Sequence, residues 1–235
     1  MSGDHTISVN FAEPFPLFPL NATMLMPHGI VPLRIFEPRY RQMVADALDG
    51  PKQFAMATFR GDQWQHEYHG RPAIRPVACL GQIMQHVRFD DGTYAIVLQG
   101  LCRVQIVEEL PPDEELQYRQ AILRPLDIDR PDEDLLEAFR LRMTEAMERD
   151  RLADLRGAPG IVEHLKNSEI PTSVLVEVLG FQFLADPELR YKLLASDDAS
   201  ERADIVSHEL MNVQRLLRKA HRQRLVDTPK GCAWN

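Results

Sequence analysis

The apolar residues of this chain change their spacing once, near residue 125, and that change constrains the fold more than any other feature. Before it they alternate. Tyr94, Ile96 and Leu98 stand between Thr93, Ala95, Val97 and Gln99, the period-two pattern of a strand with one buried face. After it they recur every three or four residues: Leu135, Leu136, Phe139, Met143 and Met147, then Val174, Leu175, Val178 and Leu179, then Ile205, Val206, Leu210, Val213, Leu216 and Leu217. A chain of 235 residues has room for one large domain or two small ones. The expected fold class is therefore α+β, with a β-barrel subdomain over 1–125, a helical bundle over 126–225 and an unstructured tail over 226–235. Pro125 and the segment Asp127–Pro131 mark the boundary.

Phe15–Leu20 reads as an edge or entry strand, because Pro16 and Pro19 cannot donate to a ladder. One helix is inserted early. Pro38 suits its first position, Tyr40, Met43, Val44 and Ala47 share a face, and Gly50-Pro51 closes it. Strand signals follow at Gln53–Phe59 and Val77–Val87, with a bend at Gly81, and Gly61–Gly70 reads as a loop or a weak hairpin. Asp90-Asp91-Gly92 is a hairpin turn. A further strand, Leu101–Val107, is expected after Gly100, and another over Gln117–Leu123. Short strands at this spacing predict a small closed or half-closed barrel. In the second half, Ile161–Leu165 reads as a short helical turn. Asp186-Pro187 starts a helix whose buried face is Leu189, Leu193 and Leu194.

The charge balance removes one class of function. A formal net charge of −8 opposes a sequence-independent grip on nucleic acid, which needs many cations to displace counterions. No apolar run approaches the ~18 residues of a membrane span. Met1–Thr6 has neither the basic nor the apolar region of a secretory signal, so a cytoplasmic location is expected. Cys79, Cys102 and Cys232 are few and widely spaced, which suits a reducing compartment. Cys79 and Cys102 read as small core residues on neighbouring strands, and Cys232–Asn235 is a poor prenylation box.

Catalytic patterns are missing. None of the 12 glycines builds a phosphate-cradling loop, and there is no G-x-S-x-G elbow. His66 and His69 are too close together for a helical zinc pair, and His208-Glu209 is followed by Asn212 where a second histidine is needed. The acidic clusters Asp90-Asp91, Asp113–Glu115, Asp132–Asp134 and Asp197-Asp198 fall in turns or at helix starts, where carboxylates serve solvation and the helix dipole. Arg215, Arg218, Lys219, Arg222 and Arg224 complement the dipole at the end of the last helix. No catalytic residue, metal site or cofactor is expected.

The stretch Phe15–Val44, above all Pro32-Leu33-Arg34-Ile35-Phe36-Glu37-Pro38-Arg39-Tyr40-Arg41-Gln42-Met43, resembles the opening of the N-terminal domain family of the Lon protease. Leu80–Ile83, Asp91–Val104 and Tyr118–Ala121 resemble later stretches of the same family, and the helical half is similar in layout. The resemblance implies a PUA-like β-barrel followed by a helical bundle. It also implies a bacterial-type, non-enzymatic module for substrate recognition, binding unfolded or specific polypeptides as an adaptor or chaperone-like holder, with a protease or chaperone system as a further partner. The ATPase and Ser-Lys peptidase motifs of full-length Lon do not occur here.

Among the motif residues, Pro32, Arg34, Phe36, Glu37, Pro38, Arg39, Tyr40, Asp91, Gly92, Gly100 and Arg103 are expected to be structural. The prolines set the entry to the helix, Phe36 and Tyr40 fill the core, and Arg34, Arg39 and Arg103 pair with acids. The expected polypeptide-binding surface is a groove lined by Met24, Leu25, Met26 and Ile30, since methionine suits a surface that accepts varied sequences. Two competing readings are an RNA-binding protein acting through the barrel, which the acidic balance opposes, and a cryptic hydrolase.

Overall fold

A computed structural model describes residues 7–21, 23–65, 71–126, 131–149, 151–155 and 157–226. The chain divides into two compact units, Met1–Asp129 and Arg130–Asn235. The expected linker Asp127–Pro131 falls outside the described residues except for Pro131. So do His66–Gly70 and all of the expected tail but Val226.

Among its described residues the first unit carries six strands and one α-helix: β1 (Phe15–Leu20), β2 (Ile30–Ile35), α1 (Pro38–Asp49), β3 (Gln53–Thr58), β4 (Val77–Arg88), β5 (Tyr94–Leu110) and β6 (Arg119–Pro125). The strand order is β2-β5-β4-β3-β1-β6, and β6 also pairs with the C-terminal half of β5. Every pairing is antiparallel except β1 with β3.

β1 is not an edge, contrary to the proline argument. It pairs with β6 through Phe15, Pro16 and Leu17 and with β3 through Leu17 to Leu20. The two ladders overlap only at Leu17, so each proline has a strand on one side alone and can turn its donor-less nitrogen to the other. The sheet does not break at Gly100 either. β5 runs straight through it for 17 residues, with a register shift where Leu80/Gly81 of β4 faces it.

β3 is buried along its whole length, so its two faces serve two cores. Ala55 and Ala57 join Phe15, Leu17, Ala78, Leu80, Val104, Ala121 and Leu123 in one cluster. Phe54 belongs to the other, where Phe18 stands 5.9 Å from it and 4.6 Å from Tyr40 of α1, both edge-to-face. Helix α1 buries Tyr40, Met43, Val44 and Ala47, the face its spacing predicts. At ~1.5–3 kcal/mol for each large apolar side chain, that face is what holds a 12-residue helix in place.

The second unit is helical: α2 (Glu133–Arg149), α3 (Ala158–Lys166), α4 (Thr172–Phe183), α5 (Pro187–Ala195) and α6 (Ala199–Val226). The expected short turn at Ile161–Leu165 is thus a nine-residue helix. α2 packs on α3, α4 and α6, and α6 receives both α4 and α5. The apolar stripes are shorter than their spacing predicts. Leu135, Val178 and Leu216 are 68%, 39% and 67% exposed, whereas Leu136, Phe139, Leu175, Leu179, Val206 and Leu210 are buried. Asp186 caps α5, its Oδ1 accepting from the N–H groups of Glu188 and Leu189. The acidic clusters act in the same local way. Asp113, Asp132 and Asp198 accept from backbone N–H groups two or three residues on.

Candidate functional site

The expected groove is not at the surface where Met24, Leu25 and Met26 stand. Met24 is 8% exposed, and Leu25 and Met26 are fully buried. The cause lies on the neighbouring strands. Gly81 of β4 and Gly100 of β5 are cross-strand partners, and together they leave a dent in the sheet. A Cβ on Gly81 would lie 2.8 Å from Leu25 Cδ2, and a Cβ on Gly100 would lie 2.0 Å from the Met26 carbonyl oxygen. The Met24–Met26 segment drops into that dent, so these residues are core. Glycine inside a strand is the sequence signal for such a close approach. Both glycines carry that signal, although read locally they predict a bend at 81 and a strand break at 100.

Ile30, one residue beyond the dent, is 57% exposed, and Phe36 is 65% exposed, so Phe36 does not fill the core as its aromatic character suggests. Tyr40 does, at 5%. Side chains alternate across a strand, and β2 buries Val31 and Ile35 while Ile30, Pro32 and Arg34 stay exposed. Phe36 continues the exposed row. Opposite Pro32 and Arg34 stand Val97 and Ala95 of β5, and opposite these stand Gln85 and Val87 of β4. Val87 is 57% exposed. Pro32, Arg34, Gln85, Val87, Ala95 and Val97 contribute to the lining of an open groove of about 430 Å³ on this face.

The tip of the β4–β5 hairpin lies just past the Ile35–Tyr94 pair. Gly92 takes φ 76° in the turn, as the Asp-Gly pair predicts. Arg34 crosses the tip: its Nη2 donates to Thr93 Oγ1 at 2.8 Å, its guanidinium lies 3.8 Å from the centre of the Phe89 ring, and Asp91 is 3.9 Å away. Asp91 accepts from the Thr93 hydroxyl at 2.7 Å and the Thr93 N–H at 2.9 Å. Those hydrogen bonds hold its carboxyl below the ordinary range, with the charges of Arg34 and Arg41 helping and desolvation opposing. At the same end of the row, just past Phe36, Glu37 accepts from Arg39 Nε and Nη2 at 3.1 and 3.0 Å, and Arg39 lies 4.7 Å from the Tyr40 ring centre. Pro38 is exposed at the start of α1, and Arg103 is buried on β5.

Among the described residues no group of three or more His, Cys, Asp and Glu side chains could hold a metal ion. Cys79 pairs in register with Arg103 and Cys102 with Leu80, so the two cysteines fall on opposite faces of the sheet. Both are free thiols. His208 sets Nδ1 3.1 Å from the Asp204 carbonyl of its own helix. Among the described residues no helix is long and apolar enough to cross a membrane.

The first unit is a six-stranded sheet with an open groove on one face, and a helical unit follows it in the chain. The chain belongs to the family of the ATP-dependent protease La (LON) substrate-binding domain, whose model matches residues 14–212. It is 25% identical over 230 residues to a Lon protease of Trichlorobacter lovleyi, covering 91% of this chain and 26% of that one. It is 22% identical over 197 residues to a Lon protease of Xanthomonas oryzae, covering 81% and 22%. The chain thus spans about a quarter of these relatives' length. Two solved structures share the fold. The N-terminal domain of a Mycobacterium avium complex Lon protease matches with TM-score 0.63 and 18% identity, covering 85% of this chain and 98% of that one. A Lon N-terminal domain protein from Xanthomonas campestris matches with TM-score 0.56 and 19% identity, covering 82% and 95%.

Proposed function

We propose that this chain is a non-catalytic, cytoplasmic module that binds unfolded polypeptides, as an adaptor or chaperone-like holder, and that the outer face of β2, β5 and β4 takes their apolar side chains. The family description, substrate-binding domain, supports the class of ligand. One observation carries the location: Val87, which lines the groove, and Ile30 and Phe36, at the two ends of the exposed row of β2, are each more than half exposed on one face of the sheet. Large apolar side chains left in water along one sheet face mark a surface that another molecule covers. ATP hydrolysis and proteolysis form no part of the reading.

The test is fluorescence anisotropy of a labelled, reduced and carboxymethylated polypeptide titrated with the full chain. Ile30→Asp combined with Val87→Asp places charge on the face without touching the core, and is expected to weaken binding by about tenfold or more. An unaltered affinity would move the site elsewhere, and a wild-type chain that ignores unfolded polypeptides would overturn the function.

A further inference from the structure

Among the described residues β2 has a single strand neighbour, whereas β1, β3, β4, β5 and β6 each have at least two. Its free edge has a defined chemistry. In an antiparallel ladder, successive residues turn their backbone groups alternately toward and away from the neighbour. The Gly100 N–H donates to the Gly29 carbonyl at 2.9 Å, which sets the phase, and the register Ile30↔Gln99 to Ile35↔Tyr94 carries it along the strand. Val31, Leu33 and Ile35 therefore point their N–H and C=O groups at β5. Ile30, Pro32 and Arg34 point theirs outward. The open edge offers the N–H groups of Ile30 and Arg34 and the carbonyls of Ile30, Pro32 and Arg34. Pro32 withholds the one remaining donor at no cost to the ladder, because its nitrogen faces away from β5.

The side chains of the same three residues belong to the exposed row that ends in Phe36. A strand laid along β2 would thus extend the apolar face with every second side chain while its backbone met the free edge. Charge narrows the occupant. The groove lining contains Arg34 and His86 and no acidic residue. Asp91 offsets Arg34 only from 3.9 Å across solvent, where both side chains are more than half exposed, so much of the cation's field remains available to a ligand. A second copy of the chain fits poorly, since each copy carries −8 and the proline gap weakens a long edge-to-edge ladder.

We propose that the free edge of β2 captures its ligand by strand addition, and that the ligand is an extended polypeptide segment with apolar side chains at alternate positions and a carboxylate that meets Arg34. This rests on the polypeptide-binding reading above. It adds to that reading a backbone mode of recognition and a sign of charge.

The experiment uses the full chain and a fluorescein-labelled peptide alternating valine and threonine with one central aspartate. Two further peptides carry N-methyl groups on one or the other alternate set of amides. Only one set can face β2, so one methylated peptide is expected to lose about tenfold or more in affinity while the other stays near the parent. Equal binding by both, with the parent bound, overturns strand addition and leaves polypeptide binding standing. A parent peptide that fails to bind while the carboxymethylated polypeptide binds overturns this inference alone, and failure of both ligands overturns both readings. Replacing the aspartate by lysine is expected to weaken binding by about tenfold, and Arg34→Glu to reverse that preference. Indifference to peptide charge removes the carboxylate from the proposal. Concentration-dependent dimerisation blocked by peptide would instead assign the edge to a second copy and overturn it. Circular dichroism checks that the Arg34 variant keeps its fold, and the methylated peptides leave the protein unchanged.

Discussion

Arg202 of α6 and Glu177 of α4 form an ion pair inside the helical unit: Nε lies 2.8 Å from Oε1, and each side chain is 4% exposed. The Arg202 Nη1 also donates to the Ser196 carbonyl at 3.0 Å, which ties the pair to the turn between α5 and α6. Two charges removed from water are tolerated because each neutralises the other, so losing one is worse than losing both.

Glu177→Leu alone and Arg202→Met alone are each expected to destabilise the protein by about 3–5 kcal/mol, and the double variant by clearly less than either. Urea unfolding followed by circular dichroism measures all three. A double variant whose loss equals the sum of the single losses would show that the residues act independently.

A second clasp holds the segment between α3 and α4. Glu133 of α2 accepts from the Thr172 N–H at 2.6 Å and from the Ser173 hydroxyl at 2.6 Å. Two turns further along α2, Arg140 donates to the carbonyls of Leu165, Asn167 and Ile170 and to Thr172 Oγ1. The carboxylate thus meets the free N–H groups at the start of α4, and the guanidinium meets the free carbonyls at the end of α3. Arg140→Ala is expected to cost about 2 kcal/mol. Arg140→Lys is expected to recover little of it, because one ammonium cannot reproduce a planar fork aimed at four oxygens. Amide exchange over residues 165–173 should quicken in both variants; a lysine variant as protected as wild type would contradict the account.

Alkaline pH probes the first unit. Tyr118 is 3% exposed and its hydroxyl donates to Asp46 Oδ2 of α1 at 2.9 Å. Burial, then the hydrogen bond to Asp46 and its charge, raise the phenol well above its ordinary value. In the unfolded chain the same phenol ionises near pH 10. Above that pH the folded state holds the extra proton, so the stability from this group is complete below about pH 10 and declines as pH rises toward the folded value. Absorbance at 295 nm should show one tyrosine titrating well after the others. In Tyr118→Phe the decline in urea midpoint above pH 10 should be shallower, and an unchanged slope would remove Tyr118 as its source.

Local chemistry explains what could be read in advance. The four buried residues of α1 follow from their spacing, Asp186 from its place before Pro187, and the turn at Gly92 from the need for a positive φ. Each is decided within a few residues, by helix geometry, by free N–H groups or by backbone sterics. The glycines at 81 and 100 show where that reasoning ends. The chain announces that a backbone can come close there, but the segment that does so is set by the pairing that places Gly81 opposite Gly100.

The sequence by itself determined the α+β class, strands first and helices after, because the apolar period is a property of each element alone. It also carried the family motif from Pro32 to Met43. The tertiary structure decided which of those residues face water. Met24, Leu25 and Met26 are core because two distant strands leave them a dent, while Phe36 is exposed because β2 puts it in the row of Ile30. β1, which reads as an edge, lies between two strands, and β2 is the edge. Edge or interior is a matter of which neighbours arrive, and those neighbours come from parts of the chain up to about a hundred residues away, beyond the reach of any local pattern.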